Sequence, residues 1–249
     1  MTEADSPPVL VITGTRREAR LARGRGLIAL AGGGDAEALA GAIDARVERH
    51  GGIAGIISYG MAGSLMRGVL VGDVVIGTEV DGTVETECDA EWVAAMAKAL
   101  PGARRAIVYA DGRLLATRGA KSKVGSSSPA ACVDMESQVA AAAALRHAVP
   151  LAVLRVISDP HNVSLPPAVE VAMGEGGELA WGAMASSVLR HPLQLFELIT
   201  TLPQFARGFA VLKKATRQLD ARLGFDRRGE EEPLPPPRHR KRRRQPSSR

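Results

Sequence analysis

Several features that would point to a particular class of protein are scarce in this chain of 249 residues. Aromatic residues make up 3% of it, so the core must be built from Ala, Val, Leu and Ile. The two cysteines, Cys88 and Cys132, lack the number and spacing of a disulfide framework or a zinc site. The five histidines are scattered along the chain. We therefore expect no bound metal.

Long apolar runs are missing as well. No run approaches the roughly 18 residues that would cross a bilayer, and the polar N-terminal residues do not resemble a signal peptide. The sequence shows no evident internal repeat, no G-x-G-x-x-G dinucleotide fingerprint and no phosphate-binding P-loop. These absences favour a cytoplasmic protein without a bound cofactor.

Positive charge is concentrated at one end of the chain. The formal net charge is +5, but residues 227–249 alone carry nine Lys and Arg against three Glu. This Pro-rich segment has too few apolar residues to form a core, so we predict a disordered basic tail. The rest of the chain is nearly neutral, and we expect no nucleic-acid partner. Two interpretations of the tail stay open: a solvated end, or contact with the inner face of a membrane.

Short β-branched runs alternate with alanine-rich helical segments over the first 160 residues. The predicted strands cover residues 9–13, 27–31, 53–58, 105–110 and 151–157, and residues 69–80 are predicted to form a turn that leads into another strand. The predicted helices begin after residue 15 and cover about residues 35–50, 91–100 and 136–148. This alternation predicts a three-layer α/β fold whose central sheet is mostly parallel but mixed, with helices on both faces. Ligands of such sheets bind outside the carboxyl ends of the strands.

From about residue 180 the sequence has helical periodicity without predicted strands. We expect the helix to break at Pro192 and Pro203. We predict an α/β domain over residues 1–185, a helical extension over 186–226 and the basic tail beyond it. The extension carries an apolar stripe of Leu195, Phe196, Ile199, Leu202, Phe205, Phe209 and Leu212. The stripe is explained either by packing on the sheet or by an interfacial helix that lies on lipid.

Candidate functional residues lie near predicted strand ends. Glycine-containing junctions at residues 14–17, 32–34 and 60–64 could each expose backbone N–H groups near a helix start, which favours an anion or a polar ligand. Glycine at such junctions more often serves a turn.

Carboxylates follow two further predicted strands. Asp134 and Glu136 open a helix, and Ser158 and Asp159 end a buried strand. Asp134 is expected to cap the helix. Taken singly, each acid also has a structural explanation.

In chain order, five segments resemble the purine nucleoside phosphorylase and nucleosidase superfamily. They are Gly-x-x-Arg at 14–17, "SYGMAGSL" at 58–65, "VGDVVIG" at 71–77, "VDMESQVAAAAA" at 133–144 and "RVISDP" at 155–160. The "VDMES" and "RVISDP" pair is the specific part of the resemblance, which covers about residues 9–160.

More closely, the chain up to about residue 226 resembles the hopanoid-associated phosphorylase-like proteins. They share the same pair of motifs, the "SLPPA" at residues 164–168 and a helical C-terminal extension. This resemblance implies removal of adenine from adenosylhopane, which leaves a ribosylated hopane for bacterial hopanoid lipid synthesis.

The resemblance also implies roles for the motif residues. Glu136 would accept hydrogen bonds from the ribose hydroxyls and stabilise the positive charge that develops on the sugar. Met135 would pack against the ribose with its adaptable thioether. Asp159, buried beneath the base and therefore protonated, would donate a proton to N7 of the purine, and Ser158 would orient it.

The nucleophile stays open between phosphate and water. Hexameric phosphorylases hold phosphate with an Arg and a Ser in the loop where this chain has Ser58 and Met61. Gly60 and Met61 are expected to line the substrate site. We expect the attacking group to lie among Gly14, Arg16 and Ser58. Phosphate is a candidate for this group and would then be a co-substrate.

Two other functions stay open. The chain could be a nucleosidase for methylthioadenosine or another small soluble nucleoside, or a non-catalytic protein that binds nucleosides. The segment between Asp111 and Ser128 offers no aromatic residue to stack on a base. Because members of the superfamily form dimers to hexamers, we expect a homo-oligomer.

Overall fold

The computed structural model describes residues 6–24, 26–166 and 194–227, without the side chains of residues 194–201 and 227. The strands are β1 Val9–Thr13, β2 Leu27–Ala31, β3 Gly55–Ser64, β4 Val74–Gly82, β5 Thr86–Glu87, β6 Arg104–Ala110, β7 Cys132–Asp134 and β8 Leu151–Asp159. The helices are α1 Arg16–Leu21, α2 Ala36–Arg49, α3 Ala90–Ala99, α4 Arg118–Ser127, α5 Ser137–His147 and α6 Gln194–Gln218, followed by a 3-10 turn at Phe225–Arg227.

One mixed sheet of eight strands forms the centre of the fold. β1 lies between β2 and β3, and both of these pairings are parallel. β3 also pairs with β8 in parallel and with β7 antiparallel. The pairing closes into a ring that runs from β3 through β8, β4, β6 and β7 back to β3. The predicted α/β fold with a mostly parallel, mixed sheet is therefore confirmed.

The inner strands β1 and β8 are buried along their whole length. Strands that are covered on both faces have continuous apolar sequences, which explains why both were visible in the sequence. Helices α2, α3 and α5 pack around the sheet, and α6 packs along β8.

The expectation that residues 60–64 form a junction between a strand and a loop is wrong, because these residues belong to β3. Gly60 pairs with Arg155, and Met61 pairs with Val156, in the parallel ladder of β3 and β8. Glycine is a poor strand former, but pairing with the buried strand β8 holds Gly60 in place. Its lack of a side chain also lets other groups approach closely.

The expected break at Pro203 is wrong too, because α6 runs through this residue. Pro203 is exposed, so water can satisfy the carbonyl that loses its N–H partner. The following turns are held by a buried face that packs on the sheet and consists of Gly208, Leu212, Ala215 and Leu219.

The predicted apolar stripe of α6 is only partly buried. Leu212 is fully buried, whereas Leu202 is 45% exposed. The side chains of Leu195, Phe196 and Ile199 lie outside the described residues, as do Pro192, the predicted boundary at residue 185 and the basic tail from residue 228.

Candidate active site

The carboxyl ends of β2, β6 and β7 meet around one pocket. Gly32 follows β2, Gly112 follows β6, and Met135 and Glu136 follow β7. The pocket holds about 230 Å³ including its open mouth. Its lining consists of Gly32, Gly34, Asp35, Ala36, Leu39, Gly112, Met135, Glu136 and Val139. This is the edge of the sheet at which a ligand is expected.

Glu136 contributes a carboxylate to the wall of this pocket. Its Oε1 lies 3.0 Å from the position that a Cβ would take on Gly14, so glycine there leaves space for the carboxylate. The side chain is 12% exposed. Burial raises the pKa of Glu136 to about 7, Arg155 opposes the rise, and the carboxylates of Asp134 and Glu18 add to it. Hydroxyl donors from a ligand would stabilise the ionised form.

A fully buried arginine holds the floor of the site together. Nη2 of Arg155 donates to Oδ1 of Asp134 at 2.9 Å, to Oγ of Ser58 at 2.5 Å and to Oγ of Ser137 at 3.2 Å. The same nitrogen lies 3.9 Å from Oε2 of Glu136. Asp134 accepts the backbone N–H groups of Glu136 and Ser137 at 2.8 and 2.7 Å. Asp134 therefore has the expected structural role at the start of α5.

A second buried carboxylate, that of Glu18, lies beside this cluster. Glu18 and Thr15 form the capping box that begins α1. Oε1 of Glu18 also accepts the backbone N–H of Met61 at 2.8 Å. A Cβ on Gly60 would lie 2.6 Å from that oxygen and 3.0 Å from Nη1 of Arg155. Gly60 thus leaves room for a carboxylate and a guanidinium.

Asp159 belongs to a different cluster of hydrogen bonds. Its Oδ1 accepts the hydroxyl of Ser158 at 2.7 Å, and its Oδ2 accepts the ammonium of Lys121 at 2.5 Å. Asp159 is 5% exposed. It lies four residues beyond Arg155 in β8, or about 13 Å along an extended strand. Glu136 and Asp159 therefore lie at two separate points: Glu136 follows β7, Asp159 ends β8, and β3 lies between these two strands.

The residues predicted for the phosphate or water site differ in accessibility. Ser58 is fully buried, and its hydroxyl is engaged with Arg155 and Ser137. Arg16 is exposed at the start of α1. Gly14 lies against the Glu136 carboxylate, as described above.

The residues predicted to bind substrate are divided between two regions. Met135 lines the pocket together with Glu136. Met61 turns its sulfur towards α6, where it lies 3.5 Å from the Cβ position of Gly208. The Cα atom of Ser158 lies 3.5 Å from the same position. α6 therefore covers the part of β3 and β8 that carries Met61 and Ser158.

Three candidate functional residues were missed in the sequence: Glu18, Lys121 and Arg155. An arginine inside the apolar run "LAVLRVI" was a visible signal that a buried charge needs a partner. The T-x-x-E spacing of Thr15 and Glu18 is typical of a capping box, but the contact of Glu18 with Met61 depends on tertiary structure. Lys121 gave no signal, because it lies among other polar residues.

Within the described ranges, no helix combines the length and the apolar character needed to cross a membrane. The same residues contain no group of three His, Cys, Asp or Glu side chains placed to hold a metal ion.

Residues 14–173 match the phosphorylase superfamily. Because this match spans more than half of the chain, the protein belongs to that superfamily. The expected enzyme class of nucleoside phosphorylases and nucleosidases is thus confirmed. The match does not separate the hopanoid-associated members from the others.

Solved structures share the fold at low sequence identity. An S-adenosylhomocysteine nucleosidase from Streptococcus pyogenes is 17% identical with a TM-score of 0.57, covering 83% of this chain and 97% of that chain. A 5′-methylthioadenosine/S-adenosylhomocysteine nucleosidase from Helicobacter pylori is 14% identical with a TM-score of 0.60, covering 86% and 100%. A futalosine hydrolase from the same organism is 14% identical with a TM-score of 0.53, covering 61% and 90%. No curated protein sequence matches this chain significantly.

Proposed function

We propose that this protein cleaves the N-glycosidic bond of a 5′-substituted adenosine and releases adenine. The observation that carries the proposal is the buried carboxylate of Glu136, which faces a pocket at the carboxyl ends of three strands. Membership of the phosphorylase superfamily supports it. Nucleosidases named for methylthioadenosine and S-adenosylhomocysteine share the fold, which adds support for an adenosine derivative.

Glu136 and Met135 are assigned to the sugar. Breaking the glycosidic bond leaves positive charge on the ribose, and an adjacent carboxylate stabilises that charge in a site of low polarity. With a pKa of about 7, Glu136 ionises near neutral pH, and two ribose hydroxyls would favour its ionised form. Met135 lines the same pocket and offers an apolar contact to the ribose face.

Asp159 and Ser158 are assigned to the base. The departing purine becomes negative, so a proton delivered to its N7 lowers the barrier, typically by a factor of about 100 or more. The bond from Ser158 holds the Asp159 carboxyl in one orientation.

We infer that water rather than phosphate attacks the sugar. The carboxylates of Glu18 and Glu136 both lie near the presumed nucleophile site at Gly14, and their negative charges would repel a phosphate dianion. Met61 offers no hydrogen-bond donor from its side chain, and the hydroxyl of Ser58 is already engaged. Glu18 is the group that we assign to accept a proton from the attacking water.

We propose adenosylhopane as the substrate, with a ribosylhopane as the second product. The resemblance to hopanoid-associated proteins is the main support. The course of α6 adds to it, because this helix passes Met61 and Ser158 and continues to Leu202, an apolar side chain that is 45% exposed. Such a surface suits an apolar 5′ substituent. Exposed Lys213 and Lys214 further along the helix suit association with anionic lipid.

The second candidate is a nucleosidase for a small soluble nucleoside such as methylthioadenosine. It is favoured by the solved structures named above, whose fold this chain shares. A homo-oligomer is part of the proposal for either substrate, and sedimentation would test it.

Adenine release from adenosylhopane, methylthioadenosine and S-adenosylhomocysteine, with and without phosphate, tests these proposals. We expect release without phosphate, free ribosyl product and the highest kcat/KM with adenosylhopane. A ribose 1-phosphate product would contradict hydrolysis, and equal kcat/KM for the small nucleosides would favour the second candidate.

Two variants test the assigned residues. Glu136→Gln and Asp159→Asn should each lower kcat/KM by about 100-fold or more, because they remove the carboxylate or the transferable proton. Glu37→Gln, an exposed carboxylate at the start of α2, is the matched control and should leave the rate unchanged. Near wild-type activity in both site variants would reject the site.

A further inference from the structure

The buried ammonium of Lys121 has no part in the chemistry assigned so far. Lys121 lies in α4 and is 1% exposed. Its Nζ donates to Oδ2 of Asp159 at 2.5 Å and to the backbone oxygens of Pro160 and Val163 at 3.1 and 3.0 Å. Three acceptors match the three N–H bonds of an ammonium, so this side chain is held in one position as a cation.

Asp159 is contacted by donors on both oxygens. Ser158 donates to Oδ1, and Lys121 donates to Oδ2. Among the described residues, Lys121 is the charged side chain in contact with Asp159, while Arg155 belongs to the other cluster. Such partners stabilise a carboxylate, so a proton that is to reach the base must first reach Asp159. Each oxygen keeps a second lone pair with which to receive it.

Three elements converge to build this ion pair. Lys121 comes from α4, Asp159 ends β8, and Gly63 of β3 lies beside them. A Cβ on Gly63 would lie 2.9 Å from Oδ2 of Asp159, so only glycine allows this approach. A buried ion pair adds little stability compared with an apolar pair of the same size. Its presence at a strand end therefore favours a role in chemistry over a role in stability.

We propose that Lys121 supplies the proton that Asp159 passes to the departing purine. This inference rests on the proposed function. As the bond between C1′ and N9 breaks, its electron pair moves to the purine, N7 takes a proton from Asp159, and Asp159 takes one from Nζ of Lys121. Asp159 ends as a carboxylate and Lys121 as a neutral amine, which regains a proton from solvent water after adenine leaves. Lys121 acts through Asp159, so it is a positioning residue that also delivers the proton.

Lys121→Arg and Lys121→Met separate charge from proton delivery. Arginine keeps the positive charge beside Asp159 but does not give up a proton in proteins, whereas methionine removes both. We expect each variant to lower kcat for adenine release by about 100-fold at neutral pH, with little change in KM. Lys123→Met, at an exposed position of the same helix, is the control and should match the wild type.

Several outcomes would overturn the inference. A wild-type kcat in Lys121→Arg would show that the charge alone is needed. A lowered kcat accompanied by a raised KM and a lowered unfolding temperature in both variants would show a structural role. Circular dichroism and thermal unfolding establish that each variant is folded. If Lys121→Met does not fold, Lys121→Arg, which keeps a cation at this position, still tests proton delivery. A wild-type protein that releases no adenine from any adenosine derivative would reject the proposed function, and this inference with it.

Discussion

Nη2 of Arg155 lies 2.9 Å from Oδ1 of Asp134, and the two side chains are 0% and 1% exposed. The pair joins the middle of β8 to the end of β7, next to the point where Glu136 enters the pocket. Asp134 also accepts the backbone N–H groups of Glu136 and Ser137, so it fixes the direction in which Glu136 projects. The position of the proposed sugar-binding carboxylate thus depends on the charge pair beneath it.

Asp134→Asn should lower the free energy of unfolding by about 3–5 kcal/mol, because it leaves the buried guanidinium of Arg155 without its counter-charge. Asparagine can still accept the two backbone N–H groups through its carbonyl oxygen, so the loss reports mainly on the charge pair. Asp44→Asn is the control, since Asp44 is 48% exposed and its pairing with Arg146 should contribute less than about 1 kcal/mol. Urea unfolding of both variants measures the difference, and equal losses would contradict the prediction.

Glu136→Gln should make the protein more stable at neutral pH. The pKa of Glu136 is raised in the folded protein to about 7 from an ordinary value of 4.5. Between these two values the folded chain binds more protons than the unfolded chain, so the free energy of unfolding of the wild type falls as the pH rises. The free energy of unfolding of Glu136→Gln does not fall in this way, because glutamine stays neutral over this pH range. The variant should therefore gain up to about 3 kcal/mol over the wild type across this window.

Thermal unfolding as a function of pH checks this prediction. The difference between Glu136→Gln and the wild type should be smallest at acid pH and level off above about pH 7. A stability difference that does not change with pH would mean that Glu136 is not buried as described.

The same pKa predicts how nucleoside affinity depends on pH. Ribose hydroxyls donate to an ionised carboxylate, and Glu136 loses its charge as the pH falls through about 7. The dissociation constant of a non-hydrolysable adenosine analogue should therefore rise by about tenfold for each unit of pH below that value. Calorimetric titration measures it, with Glu136→Gln as the reference that should bind weakly at every pH. A flat wild-type profile would count against the assignment of Glu136 to the sugar.

Much of the sheet could be predicted because several of its strands have continuous apolar runs. The runs "VLVIT" and "LIALA" coincide with β1 and β2 as predicted. Helix α4 was not predicted, because its sequence "RGAKSKVGSS" contains two glycines and several serines, which favour turns and caps. In the fold it is capped by Thr117 and anchored by the buried Lys121. Tertiary contacts therefore decide a structure that local propensity disfavours.

The acids of the site could be predicted from sequence, but their partners could not. Glu136 and Asp159 drew attention as carboxylates near apolar strands, where an ionised group is costly. The contact between Lys121 and Asp159 joins residues 38 positions apart, and that between Glu18 and Met61 joins residues 43 positions apart. Neither spacing follows a local rule, since helix and strand periodicity relate only near neighbours. The pairings require the packed sheet.

Gly60→Ala should destabilise the protein and reduce adenine release. Gly60 has a φ of 152° and a Cβ there would lie 2.6 Å from Oε1 of Glu18, which is held by Met61 and Thr15. We expect a loss of about 1–3 kcal/mol from the backbone conformation alone. Gly41→Ala in α2 is the control, because no atom lies within 4 Å of its Cβ position, and it should stabilise by about 0.5–1 kcal/mol. Thermal unfolding separates the two, and a neutral Gly60→Ala would contradict the described packing.

Deleting residues 228–249 should weaken binding to liposomes that contain anionic lipid, while adenine release from methylthioadenosine stays unchanged. The deleted segment holds eight Lys and Arg against three Glu. Each basic residue near an anionic surface contributes about 1 kcal/mol, so most of the affinity should be lost. A full-length variant with glutamine at the basic positions of residues 238–244 is the control for chain length and should behave like the deletion.

Added salt should release the wild type, because exposed charges are screened within about 8–10 Å. If the deletion binds anionic liposomes as well as the wild type, the tail does not bring the enzyme to the membrane, and contact must come from the exposed part of α6.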